Sequence, residues 1–172
     1  MSLHASMFQN LRAGPVMAGV GVNSSTVRAW IRNNGLKLSD DRGALDKRPL
    51  YDLADAGRLY LMRILTTRLG MPAQLAADAT NAATLIIEGL AAWQKLRMDG
   101  GESAVAPDQW IMVLGGLDGT SAPSFYTADV VKERGFVIAE VFVDLRAVVR
   151  MALEGLCNVL GVSVFDLPRE DD

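Results

Sequence analysis

The sequence predicts an α+β fold that is mostly helical, with a short β-sheet in its C-terminal part. Three segments, 53–70, 73–97 and 145–160, repeat apolar residues every three to four positions, as amphipathic helices do. Two shorter segments look like strands. WIMVLGG at 110–116 is a short apolar run bounded by glycines, and GFVIAEVFVDL at 135–145 is rich in β-branched and aromatic residues. The 172 residues are enough for one mid-sized domain or two small ones.

The composition is that of an ordinary soluble globular protein, with 50% apolar and 22% charged residues. No uninterrupted apolar run reaches the roughly 18–20 residues that a membrane span needs. We find no signal peptide, so we expect a cytoplasmic protein. Cys157 is the only cysteine and His4 the only histidine. An internal disulfide and a cysteine-based zinc site are therefore excluded, and no metal or other cofactor is expected.

Charge is divided unevenly along the chain. Residues 1–70 hold ten Lys/Arg and five Asp/Glu, whereas residues 71–172 hold seven Lys/Arg and fifteen Asp/Glu. The net charge of −3 therefore conceals a basic front part and an acidic rear part. A basic front part is suited to approach phosphates, and an acidic rear part is not.

The stretch GVNSSTVRAWIRNNG, residues 21–35, predicts a turn followed by a capped amphipathic helix over 24–33. Asn23 or Ser24 is a good N-cap, and the Asn-Asn-Gly sequence at 33–35 ends the helix. The residues expected to face the core are Val27, Trp30 and Ile31. The residues expected on the opposite side are Ser25, Arg28, Ala29 and Arg32.

Residues 36–51 predict two short strands around a turn at DDRG, followed by the helix at 53–70. Leu36 and Leu38 alternate with polar residues, and Pro49 limits its strand to a sheet edge because proline has no N–H to donate. Arginines 58, 63 and 68 are expected on the solvent face of the following helix. The segment 73–97 is read as one helix or as two, broken near DATN at 78–81.

The order of these elements resembles the winged helix-turn-helix of the MerR transcription regulators. GVNSSTVRAW matches the turn and recognition helix, and Arg48 and Tyr51 match the basic residue and closing tyrosine of the wing. YDLADAGRLYLMRIL and LGMPAQLA match the two helices that follow the wing. The resemblance covers roughly residues 14–80. Ala29 stands where the family usually has an aromatic residue, Pro49 adds a residue before Tyr51, and the family's cysteine-bearing metal loop is missing.

The resemblance implies a sequence-specific transcription regulator that binds double-stranded DNA. Its recognition helix would lie in the major groove, and its wing at 36–51 would contact the backbone. The implied contacts on the helix are Ser25, Thr26, Arg28, Ala29 and Arg32. Those on the wing are Arg42, Lys47 and Arg48. The implied organisation is a winged domain at 1–80, a connecting helix at 81–98 and an α/β dimerisation or effector module at 104–172. A homodimer is expected, and a small-molecule effector stays open.

Two alternatives stay open beside this interpretation. Similar winged domains occur in phage excisionases and small terminase subunits, so the chain is also compatible with a DNA-architectural or packaging factor. The second alternative is a ligand- or protein-binding module whose winged domain no longer binds DNA. An enzyme is not expected, because the sequence has no Cys/His pair, no second histidine and no Gly-x-Ser-x-Gly motif.

Overall fold

The computed structural model describes residues 4–39, 49–100, 107–115, 122–134 and 140–163. Within these ranges the fold is α+β and mostly helical, as predicted. After a short 3-10 helix at Ala5–Phe8, the helices of the front part are α1 (Ala13–Val20), α2 (Ser24–Asn34), α3 (Leu53–Arg63), α4 (Ala73–Ala82) and α5 (Thr84–Met98). The rear part contains β1 (Trp110–Gly115), β2 (Ser124–Thr127), α6 (Ala128–Arg134), β3 (Glu140–Asp144) and α7 (Leu145–Leu160).

Local side-chain caps set the start of three helices. Asn23 accepts the Thr26 N–H at 2.7 Å ahead of α2. Asp52 and Asp55 form a capping box at the start of α3. Asp144 caps α7 by accepting the N–H groups of residues 146 and 147. Each cap satisfies backbone donors that have no partner within the helix, so these helix starts could be located from sequence.

The core is organised around α3, whose residues from Leu53 to Met62 are buried with the exception of the half-buried Tyr60. This helix packs against α1, α5 and α7. One continuous apolar cluster includes Phe8 near the start of the chain and Val162 near its end. Residues from all three predicted segments, 1–80, 81–98 and 104–172, therefore share one core in the part of the chain that the structure describes.

Helices α1 and α7 cross at two glycines. A Cβ atom built on Gly155 would lie 2.1 Å from the Gly19 carbonyl oxygen, and one built on Gly19 would lie 3.0 Å from the Gly155 carbonyl carbon. The two backbones are therefore in direct contact, without side chains between them. This contact joins the rear helix to the α1–α2 pair.

The sheet has the strand order β2-β1-β3, with both pairings antiparallel. In the centre of β1, Met112 pairs with Phe125 on β2 and with Val143 on β3. Strands β1 and β3 lie within the two predicted runs. Strand β2, with the sequence SFYT, and helix α6 were not predicted from the sequence. Four residues that are exposed or half-buried carry too little apolar pattern to be recognised alone.

The predicted wing is wrong in the parts that the structure describes. Residues 36–39 are irregular rather than a strand. Tyr51 pairs instead with Leu11, through backbone hydrogen bonds of 2.8 and 2.9 Å. Tyr51 therefore pairs with the residue that lies just before α1, and not with residues 36–38. The DDRG turn, together with Arg42, Lys47 and Arg48, lies outside the described residues.

The segment 73–97 forms two helices, which meet at Ala83, two residues after the DATN segment at 78–81. The connecting helix predicted at 81–98 corresponds to α5. In the ranges given above, no helix is both long and apolar enough to cross a membrane.

Candidate nucleic-acid interface

Helices α1 and α2 are joined by a tight turn at residues 21–23. Gly21 has a left-handed backbone with φ of 72°, and its N–H bonds the Met17 carbonyl at 2.9 Å. Arg63 of α3 donates from Nη1 to the Val20 carbonyl at 2.6 Å. A Cβ on residue 21 would come within 2.8 Å of this same nitrogen. The turn therefore needs glycine both for its backbone and for the space that Arg63 occupies.

Helix α2 rests on α4 through a narrow apolar face. Trp30 and Val27 are buried, which confirms two of the three predicted core residues. At the C-terminal end, the Asn81 side chain of α4 donates to the Gly35 carbonyl and accepts the Lys37 N–H, both at 2.9 Å. Sequence reasoning missed Asn81, since its partners lie more than forty residues away. These contacts fix the position of α2 and leave its other side open.

Ile31 was expected in the core, and that prediction is wrong. Its side chain is 39% exposed and lies on the open side of α2. Val27 and Trp30 are the buried apolar residues of α2, and Ile31 lies outside the face that they form. An exposed isoleucine beside two arginines adds an apolar contact to an otherwise polar surface.

A groove of about 930 Å3 runs along this open side, between α1, α2 and residues 49–51. Its walls come from three separate parts of the front half. They are formed by Arg12, Ala13, Gly14, Met17, Ser24, Val27, Arg28, Ile31, Arg32, Pro49, Leu50 and Tyr51. This lining includes three arginines and no carboxylate, so it is suited to an anionic ligand rather than to a basic one.

The three arginines of the groove are Arg12, Arg28 and Arg32, and all are exposed. Among the described residues, no carboxylate lies within ion-pair distance of any of them. The sequence reinforces this local charge, because residues 1–39 contain four Lys/Arg and no Asp/Glu. Their positive charge is therefore not offset by nearby acids.

The other helix residues predicted as contacts are placed less favourably. Ser25 is exposed, but its hydroxyl donates to Asn23 Oδ1 at 2.7 Å as part of the cap. Thr26 and Ala29 are half-buried. Arg12, the N-cap of α1, was not predicted as a contact from the sequence.

Arg58 was expected on the solvent face of its helix, and that prediction is also wrong. Its side chain is 2% exposed and donates to Asp55 at 3.0 Å and to the Ser39 hydroxyl at 2.8 Å. Arg58 also contacts Glu88 of α5. Asp55 in turn accepts the Ser39 N–H at 2.7 Å. Because Ser39 directly precedes the predicted wing tip, this buried network anchors the start of that segment to α3.

Burial raises the pKa of the Asp55 carboxyl above its ordinary value, because desolvation penalises the charged form. The neighbouring charge of Asp52 acts in the same direction. The hydrogen bonds from Ser39 and the charge of Arg58 oppose it. The network is therefore structural, and its cost is offset only while every partner is in place.

No group of three or more His, Cys, Asp or Glu residues that could hold a metal ion occurs in the described ranges. Comparison of the chain with protein-family models, with curated proteins and with solved structures gave no match.

Proposed function

We propose that this protein is a sequence-specific transcription regulator that binds double-stranded DNA with α2 in the major groove. The observation that carries the proposal is the acid-free groove along α2, with its three exposed arginines. Helix α2 has eleven residues, is capped at both ends and presents its polar side outward. The major groove of DNA is about 12 Å wide and admits a helix of this kind.

The positions of the arginines suggest distinct roles on DNA. Arg28 and Arg32 are four residues apart on one helix, so they share a face and can reach neighbouring base pairs. An arginine can bond the O6 and N7 atoms of guanine with two hydrogen bonds, which distinguishes this base. Arg12 lies on the opposite wall of the groove and is suited to a phosphate of the adjacent backbone. Ser25 and Thr26 lie at the N-terminal turn of α2, where backbone N–H groups favour an anion.

We propose that the basic residues between Ser39 and Pro49 also contact DNA. Pro49 and Leu50 line the groove, and the Asp55–Arg58 network holds the other end of the segment at Ser39. Arg42, Lys47 and Arg48 of this segment would then contact phosphates beside the recognition helix. Such contacts position a protein on DNA without reading its sequence.

We propose a homodimer as the DNA-binding form. One small module contacts too little DNA for tight specific binding, and two copies reading two half-sites overcome this limit. The regulatory role itself comes from the MerR-like order of motifs in residues 14–80. The core that α1 and α7 share supports a regulatory role, because a rear part that packs on α1 can influence the position of α2.

The test is a salt titration of duplex-DNA affinity with the Arg28→Ala/Arg32→Ala variant. The matched control, Arg68→Ala/Lys132→Ala, removes the same charge from exposed positions outside the groove. If both arginines contact phosphates, the slope of log affinity against log salt becomes shallower by about 1.8. If the arginines instead bond guanines, the free-energy difference between preferred and other DNA sites falls by about 1–3 kcal/mol for each arginine removed.

The control variant is expected to bind DNA like the wild type. Equal losses in both variants would show that only the total charge matters, and the role of α2 would be rejected. Binding without preferred sites, in arrays along the duplex, would instead favour the architectural or packaging class.

A further inference from the structure

A second cavity, of about 340 Å3, lies where the end of α3 meets β3 and α7. Its described lining is mainly apolar and includes Tyr60 from α3, Phe142 from β3 and Met151 from α7. Phe142 is 37% exposed and Met151 is 47% exposed, so the described residues leave apolar surface open here. The volume is at the lower end of the range for small-molecule sites, which suits a compound of one or two rings.

One wall of this cavity is a π-helix, Ile64–Arg68, which continues α3. The Leu69 N–H bonds the Ile64 carbonyl, five residues earlier, at 3.1 Å. Ile64 and Arg68 both line the cavity. The extra residue in the turn changes which side chains face the cavity, and short π-helices are frequent at functional sites for this reason.

The charged groups of the cavity favour an anionic ligand. Arg68 is exposed and forms no ion pair with any described residue. Asp144 is the one carboxylate in the described lining, and both of its oxygens are engaged. Oδ1 accepts the N–H groups of residues 146 and 147, and Oδ2 accepts a hydrogen bond from Gln109 at 2.6 Å. The Arg68 guanidinium is therefore available to a ligand, and its geometry matches a carboxylate.

Tyr60 connects the cavity to the turn between α1 and α2. The Arg63 guanidinium lies 5.8 Å from the centre of the Tyr60 ring, within the range of a cation–π contact. The same guanidinium donates to the Val20 carbonyl and fills the space beside Gly21. A ligand that displaces the Tyr60 ring therefore also displaces the group that supports this turn.

We propose that this cavity binds a small aromatic carboxylate, and that the bound ligand alters the α1–α2 turn through Tyr60 and Arg63. The ligand ring would pack against Tyr60 and Phe142, since aromatic rings pair favourably with one another, and its carboxylate would bond Arg68. The site shares no described residue with the groove along α2, so Arg68 takes no part in DNA binding without the ligand. Only the consequence for α2 rests on the proposed function.

The test is isothermal titration calorimetry of the full chain with cinnamate, and with cinnamamide as its neutral counterpart. The wild type is expected to bind cinnamate about tenfold more tightly than cinnamamide, because only the carboxylate pairs with Arg68. Arg68→Gln is expected to lose this preference. The matched control, Lys132→Gln, removes a positive charge from an exposed position of α6 outside the cavity and is expected to retain it.

A second variant, Ala147→Phe, fills the cavity. Ala147 is exposed and lines the cavity, so a larger side chain finds room there without disturbing the core. The variant is expected to keep a thermal stability close to that of the wild type and to bind neither compound. A wild-type protein that binds neither compound would overturn the inference, as would cinnamate binding that survives Ala147→Phe. A wild type with equal affinity for both compounds, or a preference for cinnamate that survives Arg68→Gln, would overturn the assignment of an anionic ligand.

The connection to the turn is tested by the amide resonance of Gly21 in isotopically labelled protein. Saturating cinnamate is expected to shift this resonance in the wild type and to leave it unchanged in Ala147→Phe. A Gly21 resonance that does not move in the wild type at saturation would overturn the connection through Tyr60 and Arg63. These measurements contain no DNA, so a failure of DNA binding and a failure of ligand binding are seen separately.

Discussion

Replacement of Gly155 by alanine would place a methyl group where α7 touches α1. The added Cβ would lie 2.1 Å from the Gly19 carbonyl oxygen, whereas such contacts are essentially never shorter than 3.0 Å. The obstructing atom belongs to backbone and cannot rotate away as a side chain would. The two helices must therefore separate by about 1 Å, and the apolar residues on both sides of the crossing lose contact.

The size of the effect follows from two opposing contributions. Overpacking of a well-filled core costs about 1–3 kcal/mol, and a rigid backbone obstacle places this site at the upper end. Alanine in a helix gains about 0.5–1 kcal/mol over glycine. We therefore expect Gly155→Ala to lower the free energy of unfolding by about 2 kcal/mol, which corresponds to roughly 4–8 °C in Tm for a chain of this length.

The assay is urea unfolding at low protein concentration, with Gly89→Ala as the matched control. Gly89 is also a helix residue, but a Cβ there meets no atom within 4 Å, so only the gain of about 0.5–1 kcal/mol is expected. Unchanged m-values would confirm that both variants report stability alone. If Gly155→Ala and Gly89→Ala shift the unfolding midpoint in the same direction by the same amount, the direct α1–α7 contact is refuted.

Three further predictions concern single positions. Burial raises the pKa of the Cys157 thiol to about 11, so at pH 7 only about one thiol in ten thousand is ionised, and we expect no reaction with a disulfide reagent until urea unfolds the chain. Asp55 has a raised pKa when folded, so its contribution to stability is complete below pH 3.8 and is lost as the pH rises through the folded pKa. The unfolding free energy of the wild type minus that of Asp55→Asn should therefore shrink with rising pH in urea titrations, and a growing difference would contradict the reasoning. Gly21→Ala should cost about 1–2 kcal/mol for its left-handed backbone, plus a further loss from displacing Arg63. Gly35→Ala, with φ of 69° and no atom within 4 Å of the added Cβ, should lose only the first of these two contributions, as measured by urea unfolding.

The sequence alone predicted the features that depend on neighbours along the chain. The start and end of α2 follow from its capping residues, and the burial of Leu53, Ala56 and Leu59 in α3 follows from a period of 3.6. The structure confirms both. The basic character of the front part follows from counting charges. Arg28 and Arg32 were singled out because they lie opposite Val27 and Trp30, and this is a property of one helix.

Only the tertiary structure decided which residues from separate segments meet. Arg58 is buried because Asp55, Ser39 and Glu88 surround it, and Ile31 is exposed because α4 covers only part of α2. Arg12 joins the groove because its neighbour Leu11 pairs with Tyr51. The Gly19–Gly155 crossing unites residues 136 positions apart. Local sequence carries helix propensity and amphipathic pattern, whereas burial, exposure and backbone contact depend on the whole chain packing together.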